Sequence, residues 1–81
     1  MASKHQTKVI NEYKNKGYYV INLIKTNKNG IPDLLCLKKG EEPIFIECKE
    51  KTDTLKPLQE YRIQELKKLG FNAFVSKSTH Q

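Results

Sequence analysis

The chain has 81 residues, with 15 Lys and Arg against 9 Asp and Glu, which gives a formal net charge of +6. This length predicts a single domain over residues 1–81, whose small core is marginally stable and would gain from dimerisation. No segment approaches the roughly 20 apolar residues that span a bilayer, and the basic balance favours a polyanionic partner.

The first predicted element is a helix over residues 3–16. Val9, Ile10 and Tyr13 form a narrow apolar stripe at helical spacing, and Gly17 is well placed to end the helix. The chain therefore begins with a helix that packs one narrow face on the rest of the domain.

Three strands are predicted next. Residues 18–25 are rich in β-branched and aromatic side chains, which indicates the first strand, and residues 26–30 form a polar turn. Residues 33–38 and 44–49 predict an antiparallel hairpin centred on Gly40. Both faces of this hairpin are largely apolar, as expected for a sheet that is covered on both sides.

A second helix begins near Pro57, which suits a first helical turn because its missing N–H would be unpaired there anyway. Gly70 ends this helix, and residues 71–76 predict a last strand. The third strand, second helix and fourth strand form a crossover unit with parallel strands. The expected fold class is therefore α/β, with the order α-β-β-β-α-β and a mixed four-stranded sheet.

The hairpin brings two carboxylates together. With its turn centred on Gly40, residues whose numbers sum to 80 are partners, so Asp33 lies opposite Glu47. Opposed side chains share a face of the sheet, and Lys49 points to that same face. The two like charges would repel, so a bound cation is the natural partner. The alternative is that both carboxylates simply pair with surface lysines.

These residues form the PD-(D/E)xK nuclease signature, as Pro32-Asp33 and Glu47-Cys48-Lys49. Gly30 before the Pro-Asp, the apolar strand that leads into the glutamate, and Leu55-Lys56-Pro57-Leu58-Gln59 before the second helix extend the pattern. With these features the chain resembles the VRR-NUC family, the virus-type replication and repair nuclease module, over residues 9–76. The resemblance implies a restriction-endonuclease-like core, which has the same order of elements.

The candidate site combines possible metal ligands with one positively charged side chain. Asp33 and Glu47 supply the hard oxygen ligands that Mg²⁺ or Mn²⁺ accepts. Lys49 is a compact charge that would hold the attacking water and offset charge on the phosphate oxygens. By the resemblance, Cys48 offers its backbone carbonyl to the metal, and Gln59 orients water or contacts a phosphate.

The chain departs from the resembling family at two positions. Related nucleases commonly carry a glutamate early in the first helix that completes the metal shell, and the corresponding position here is Lys4. Gln6, Glu12 or water are the alternatives for this third ligand. Family members usually place a capping serine or threonine where Lys56 stands, and Thr54 is a candidate substitute for that cap.

The two cysteines, Cys36 and Cys48, fall inside apolar strand runs and are predicted to be reduced core residues that the hairpin register does not pair. His5 and His80 lie at opposite ends of the chain without zinc-ligand spacing. The amino terminus has no apolar secretory stretch, so we expect a cytoplasmic protein, in the host cytoplasm if the chain is phage-encoded.

The resemblance implies a metal-dependent, structure-selective DNA endonuclease, because small stand-alone members of the family, chiefly phage-like, act on branched DNA. A homodimer that resolves four-way (Holliday) junctions is the leading hypothesis, since each chain carries one site. The alternatives are a monomeric flap or nicking nuclease, and a catalytically inert nucleic-acid-binding module. Lysines near the hairpin ends are expected to follow DNA phosphates: Lys25, Lys28, Lys39, Lys51 and Lys56. The tyrosines that would stack on unpaired bases, or else join the core, are Tyr18, Tyr19 and Tyr61.

Overall fold

A computed structural model of the chain describes residues 3–79, so His80 lies outside the described residues. Two helices and four strands are present in this part of the chain. Their bounds are α1 Lys4–Asn15, β1 Tyr19–Asn22, β2 Leu34–Leu37, β3 Ile44–Lys49, α2 Pro57–Lys68 and β4 Asn72–Lys77.

The four strands form one mixed sheet in the order β1-β2-β3-β4. The pairs β1–β2 and β2–β3 are antiparallel, and β4 runs parallel to β3 after the α2 crossover. Leu34 pairs with Ile46 and Cys36 pairs with Ile44, so the predicted hairpin register is confirmed. The α/β fold class and the α-β-β-β-α-β order are confirmed as well.

Helix α1 covers one face of the sheet. Ser3 begins it, because the Ser3 hydroxyl accepts a hydrogen bond from the Gln6 N–H at 3.1 Å and satisfies one of the free donors of the first turn. Gly17, at a φ of +92°, follows its last turn. The side chains buried on this face are Val9, Leu34, Cys36, Ile46 and Cys48.

Helix α2 covers part of the opposite face. Ile63 and Leu66 are buried against Ala73 of β4, with Phe45 of β3 packed beside them. Because α2 connects β3 to β4, its first turn returns to the carboxyl end of β3, where Glu47 lies. A helix therefore packs on each face of the sheet, as the apolar strands predicted, although α2 covers its face only in part.

The first strand is shorter than predicted: it ends at Asn22, although Leu23 and Ile24 continue the apolar pattern. Asn22 is the partner of Leu34, where β2 begins, so the strand has little left to pair with. One further backbone hydrogen bond, from Leu23 N–H to the Asp33 carbonyl at 2.8 Å, continues the ladder. Residues 23–31 then form the loop that leads to the predicted site.

Cys36 and Cys48 are free and buried, as predicted. Both thiols lie in the core beneath α1. Neither helix in residues 3–79 is long and apolar enough to cross a membrane.

Candidate active site

The loop before β2 approaches the start of α2 closely, and this contact positions Asp33. Gly30 has a φ of +81°, a conformation that side-chain-bearing residues rarely adopt. A Cβ atom at Gly30 would lie 2.7 Å from Leu58 Cγ and 3.1 Å from the Leu58 carbonyl oxygen, so there is no room for one. Pro32 is fully buried behind this contact. Glycine is therefore required where the loop packs on the helix, just before the Pro-Asp pair.

Asp33 is attached to the neighbouring strand. Its Oδ2 accepts a hydrogen bond from the backbone N–H of Cys48 at 2.9 Å. Its own carbonyl oxygen accepts the Leu23 N–H on the other side. Both halves of the signature, the Pro-Asp and the Glu-x-Lys, are thus joined by a direct hydrogen bond across the hairpin.

Glu47 is a buried carboxylate, with 3% of its surface exposed. Its Oε2 lies 3.7 Å from Lys49 Nζ and 3.3 Å from Gln59 Nε2. Its Oε1 is buried without a hydrogen-bond partner among residues 3–79. Burial and the Asp33 charge raise the pKa of Glu47 and Lys49 lowers it, and together these effects bring it to about 7. This carboxylate lacks enough compensating partners for its charge.

Lys49 is nearly as enclosed as Glu47, because its side chain is 11% exposed. A lysine is rarely buried unless it is paired, and here Glu47 is the partner. The ammonium is therefore held at the site by Glu47, whereas most lysines of the chain are exposed to solvent.

Gln59 connects α2 to the site through both ends of its amide. Its Oε1 accepts the backbone N–H of Lys56 at 2.9 Å, which satisfies a free donor at the helix start. Its Nε2 donates to Glu47 Oε2. The Lys56 side chain makes no capping hydrogen bond of its own, and Gln59, not Thr54, fulfils this need. Capping thus orients the amide toward the carboxylate.

Cys48 has its side chain on the opposite face of the sheet, in the core beneath α1. Burial raises the pKa of its thiol to about 12, so the sulfur is a neutral packing group. Its N–H points toward Asp33, whereas the Lys49 carbonyl accepts the Ser78 N–H on the β4 side at 2.9 Å. The N–H and C=O of one strand residue point to the same neighbour, so the Cys48 carbonyl also faces the Asp33 side.

The donors at this point fit a hard divalent cation. Two carboxylates lie close enough for the Asp33 charge to raise the pKa of Glu47, and one carboxylate oxygen of Glu47 is buried without a donor. A cation would satisfy that oxygen and reduce the repulsion. Mg²⁺ needs only one or two protein carboxylates and completes its shell with water. Within residues 3–79, no group of three or more His, Cys, Asp and Glu side chains is arranged to hold a metal ion by itself.

Neither candidate for a third side-chain ligand joins the carboxylates. Glu12 lies on the last turns of α1, half exposed, and pairs with Lys16 at 3.3 Å. This pairing and exposure give no contact between Glu12 and the two carboxylates, and its role as an alternative ligand stays a prediction. Gln6 donates to Asn22 of β1 at 2.8 Å, and no described contact connects it to Asp33 or Glu47.

The surroundings of the site are basic. Lys25 and Lys28 line a cleft of about 410 Å³ that also includes Asp33. Tyr18 belongs to the core, where its ring contacts Tyr13 edge to face, whereas Tyr19 is exposed. The other three lysines expected near the DNA are likewise exposed, and so is the last candidate tyrosine: Lys39, Lys51, Lys56 and Tyr61.

One basic residue beside the site has no sequence signal. Lys77 is the partner of Lys49 in the parallel β3–β4 register. No motif includes it, and the register of parallel strands depends on how α2 packs between them. Predicting that Lys77 lies beside Lys49 would have required the exact β3–β4 register.

The mixed sheet, with a carboxylate pair and a lysine at one end of its central hairpin, defines a nuclease-type α/β domain. The family model of the VRR-NUC domain matches residues 19–80, which is most of the chain. The chain therefore belongs to the VRR-NUC domain family. A solved structure named "VRR_NUC domain" superposes with a TM-score of 0.81 and 27% sequence identity, over 95% of this chain and 87% of that one. Among curated proteins, none matches the chain significantly.

Proposed function

We propose that this nuclease domain is a metal-dependent, structure-selective DNA endonuclease that resolves four-way junctions as a homodimer. The main support for metal dependence is the Oε1 atom of Glu47, which is buried without a hydrogen-bond partner beside the Asp33 carboxylate. A buried polar atom without a partner is costly, and proteins retain such atoms where a ligand completes them. A cation supplies what this atom lacks.

Asp33, Glu47 and the Cys48 carbonyl would hold Mg²⁺ or Mn²⁺. The bound ion would supply Lewis-acid stabilisation of the phosphate and a lowered pKa for an attacking water. Asp33 is kept in place by the Cys48 N–H, so its second oxygen remains available. The hydrogen bond also fixes the distance between the two ligand-bearing strands.

Lys49 acts by charge and position. Its ammonium is held near Glu47 and is almost fully enclosed, so it stays aimed at the reacting phosphate. A preorganised cation in a poorly solvated site stabilises charge that builds up on the phosphate oxygens in the transition state. Gln59 positions Glu47 and retains a second N–H, which can orient water or contact a phosphate oxygen.

DNA is the proposed substrate because a nuclease domain with a net charge of +6 attracts the phosphate backbone. The cleft beside Asp33 brings Lys25 and Lys28 next to the proposed metal ligands. Both are placed to contact phosphates that flank the cut. Phosphate contacts position DNA without reading sequence, so selectivity for DNA structure is the simpler proposal.

The homodimer is proposed from the geometry of the substrate and from exposed apolar surface. Symmetric cutting of a four-way junction needs two sites, and one chain provides one. Leu58, Tyr61 and Leu69 lie exposed on one side of α2 and its end. Covering them with a second copy would add apolar burial to a small core.

A monomeric flap or nicking nuclease is the second candidate, because it would use the same residues on a different DNA structure. A catalytically inert DNA-binding module is the third. The enclosure of Glu47 and Lys49 argues against inertness, since a binding module has no need for a buried carboxylate next to a buried lysine.

One cleavage assay compares four-way, flap, nicked and linear DNA, each with Mg²⁺, with Mn²⁺ or with EDTA. We expect cleavage with either metal and none with EDTA, and faster cutting of the four-way junction. Preference for flaps would favour the second candidate. Absence of cleavage with both metals, together with retained DNA binding, would favour the third.

A further inference from the structure

The end of β4 carries two side chains on the same face as the site. Glu47 is the register partner of Val75, and Lys49 is the partner of Lys77. Ala73 is buried against α2, and two-residue alternation along the strand places Val75 and Lys77 on that same face. Ser76 confirms the alternation, because its hydroxyl lies 2.9 Å from His5 Nε2 on the α1 face.

Helix α2 does not cover this end of β4. Ala73 is 1% exposed beneath the helix, whereas Val75, two residues on, is 36% exposed. Lys77 is also exposed. The open face of β4 therefore continues directly from Glu47 and Lys49 toward solvent, next to the proposed position of the scissile phosphate.

The charges on this open face are unbalanced. Lys49 is paired with Glu47, but among residues 3–79 no ion pair involves Lys77. Like charges on directly adjacent strand positions are destabilising, so two neighbouring lysines need a compensating partner. Strands in a sheet lie about 4.8 Å apart, and lysine stems are long and flexible, so the two ammonium groups can hold successive phosphates of one DNA strand.

We propose that Lys77 binds the backbone phosphate next to the scissile one and thereby helps to hold the DNA strand at the site. The proposal rests on the proposed nuclease function and names a further positioning residue for it. The ligand is a DNA phosphodiester, and the contact is an ion pair formed outside the metal shell.

This role has a kinetic signature that differs from that of Lys49. A flanking phosphate carries the same charge before and during the reaction, so a contact to it stabilises substrate and transition state equally. Its loss raises KM and leaves kcat nearly unchanged. Loss of the Lys49 ammonium acts at the reacting phosphate and lowers kcat.

The test compares Lys77→Ala with Lys67→Ala, which removes the same charge from the last turn of α2, at the far end of the crossover. Binding of a labelled four-way junction and of a linear duplex is measured in EDTA over a range of salt concentrations. We expect Lys77→Ala to reduce the slope of log K against log salt by about 0.9 and to weaken binding about tenfold at 0.1 M salt. Lys77→Arg should restore both quantities.

Equal slopes for Lys77→Ala and Lys67→Ala would overturn the proposal, and so would weaker binding of Lys77→Ala without a change in slope. Cleavage by the wild-type protein is measured separately with Mn²⁺. If the wild type binds but does not cut, the nuclease proposal fails, whereas the salt slope still decides whether Lys77 contacts a phosphate.

Discussion

Asp33 Oδ2 accepts a hydrogen bond from the backbone N–H of Cys48 at 2.9 Å, across the β2–β3 hairpin. This bond joins the two halves of the nuclease signature, which are separated along the chain by the hairpin turn. The carboxylate thus has two duties in the proposed site, because Oδ2 bonds to the neighbouring strand and the other oxygen would bind the metal. Substitutions at Asp33 can separate these duties.

Asp33→Asn keeps an oxygen that can accept the Cys48 N–H but removes the charge. We expect the free energy of unfolding to change by less than about 1 kcal/mol, while metal-dependent cleavage falls more than about 100-fold. Asp33→Ala should lose the same activity and a further ~1 kcal/mol of stability. DNA binding without metal should persist or tighten, because one negative charge near the phosphates is gone.

Asp53→Asn is the matched control, because Asp53 also accepts a backbone N–H, from Glu50 at 3.2 Å, without taking part in the proposed metal site. Denaturant unfolding, cleavage and DNA binding are measured on all three variants. Wild-type cleavage by Asp33→Asn would mean that the cation binds elsewhere.

The raised pKa of Glu47 predicts that the stability of the metal-free protein depends on pH. Burial and the Asp33 charge raise the pKa of Glu47 to about 7, so the folded state holds this proton more tightly than the unfolded state does. Stability should therefore fall as pH rises from about 4.5 to about 7 and should then level off. The contribution of Glu47 is at most about 3 kcal/mol.

Glu47→Gln removes this titration, so the difference in unfolding free energy between wild type and variant isolates the effect of Glu47. In EDTA, wild type should lose stability relative to the variant between pH 5 and pH 8. Mn²⁺ should raise the Tm of the wild type more at pH 8 than at pH 6, because a carboxylate must be deprotonated to bind metal. Parallel pH profiles for the two proteins would contradict the assignment.

Lys49 should be needed for turnover rather than for metal binding. We expect Lys49→Ala to bind Mn²⁺ in calorimetry and to lose most single-turnover cleavage. Lys49→Arg should not restore the rate, because the Lys49 side chain is only 11% exposed and a planar guanidinium does not fit in the space of its compact ammonium. Lys49 lowers the pKa of Glu47, so the titration of Glu47 should move to higher pH in Lys49→Ala.

Lys14→Ala is the control for this comparison, since Lys14 is an exposed lysine in the last turn of α1 and is not among the proposed DNA contacts. It should cleave at a rate close to that of wild type. Normal cleavage by Lys49→Arg would reduce the role of Lys49 to general positive charge.

Gly30 should be required for the placement of Asp33. Gly30→Ala and Gly40→Ala both put a side chain at a positive φ, +81° and +82°, which costs about 1 kcal/mol. Only at Gly30 does the new Cβ meet the helix, at 2.7 Å from Leu58 Cγ, whereas nothing lies within 4 Å at Gly40. We expect Gly30→Ala to lose about 3 kcal/mol and Gly40→Ala about 1 kcal/mol. Equal losses in denaturant unfolding would contradict this account.

Sequence predicts the hairpin well because its constraints are local. The side-chain period of a strand is two residues, so one turn centre fixes every partner, and Asp33 and Glu47 share a face as a direct consequence. The limits of β1 were less predictable, since a strand ends where its partner ends. Leu23 still bonds to the Asp33 carbonyl, but residues 24 and 25 lie beyond the register that pairs β1 with β2.

The environment of the site depends on contacts between distant elements, and these were not predictable. The unpartnered oxygen of Glu47 follows from how the start of α2 closes over β3. The position of Lys77 follows from the register of the parallel β4 strand. The resemblance pointed to Gln59, but its double contact, to the helix start and to Glu47, required the packed structure.

The last prediction is a homodimer that cuts a four-way junction at two symmetrically placed phosphates. The chain is short, and Leu69, at the end of α2, leaves 68% of its surface exposed beside other apolar side chains of that helix. Light scattering at micromolar concentration should give about twice the monomer mass of 9.4 kDa. Leu69→Glu should lower this mass to that of a monomer, whereas Tyr19→Glu, at a similarly exposed site (71%) on the edge strand β1, should not.

A junction extruded from a supercoiled plasmid distinguishes one active site from two. A dimer cuts both strands within one binding event and gives linear plasmid directly, because its two sites are held together by symmetry. A monomer releases nicked circles first, and nicking relaxes the supercoiling that maintains the junction, so linear product does not follow. We therefore expect linear product without accumulation of nicked circles from the wild type, and nicked circles from Leu69→Glu. A wild-type protein that is monomeric and cuts flaps faster than junctions would contradict the dimer and support the flap nuclease.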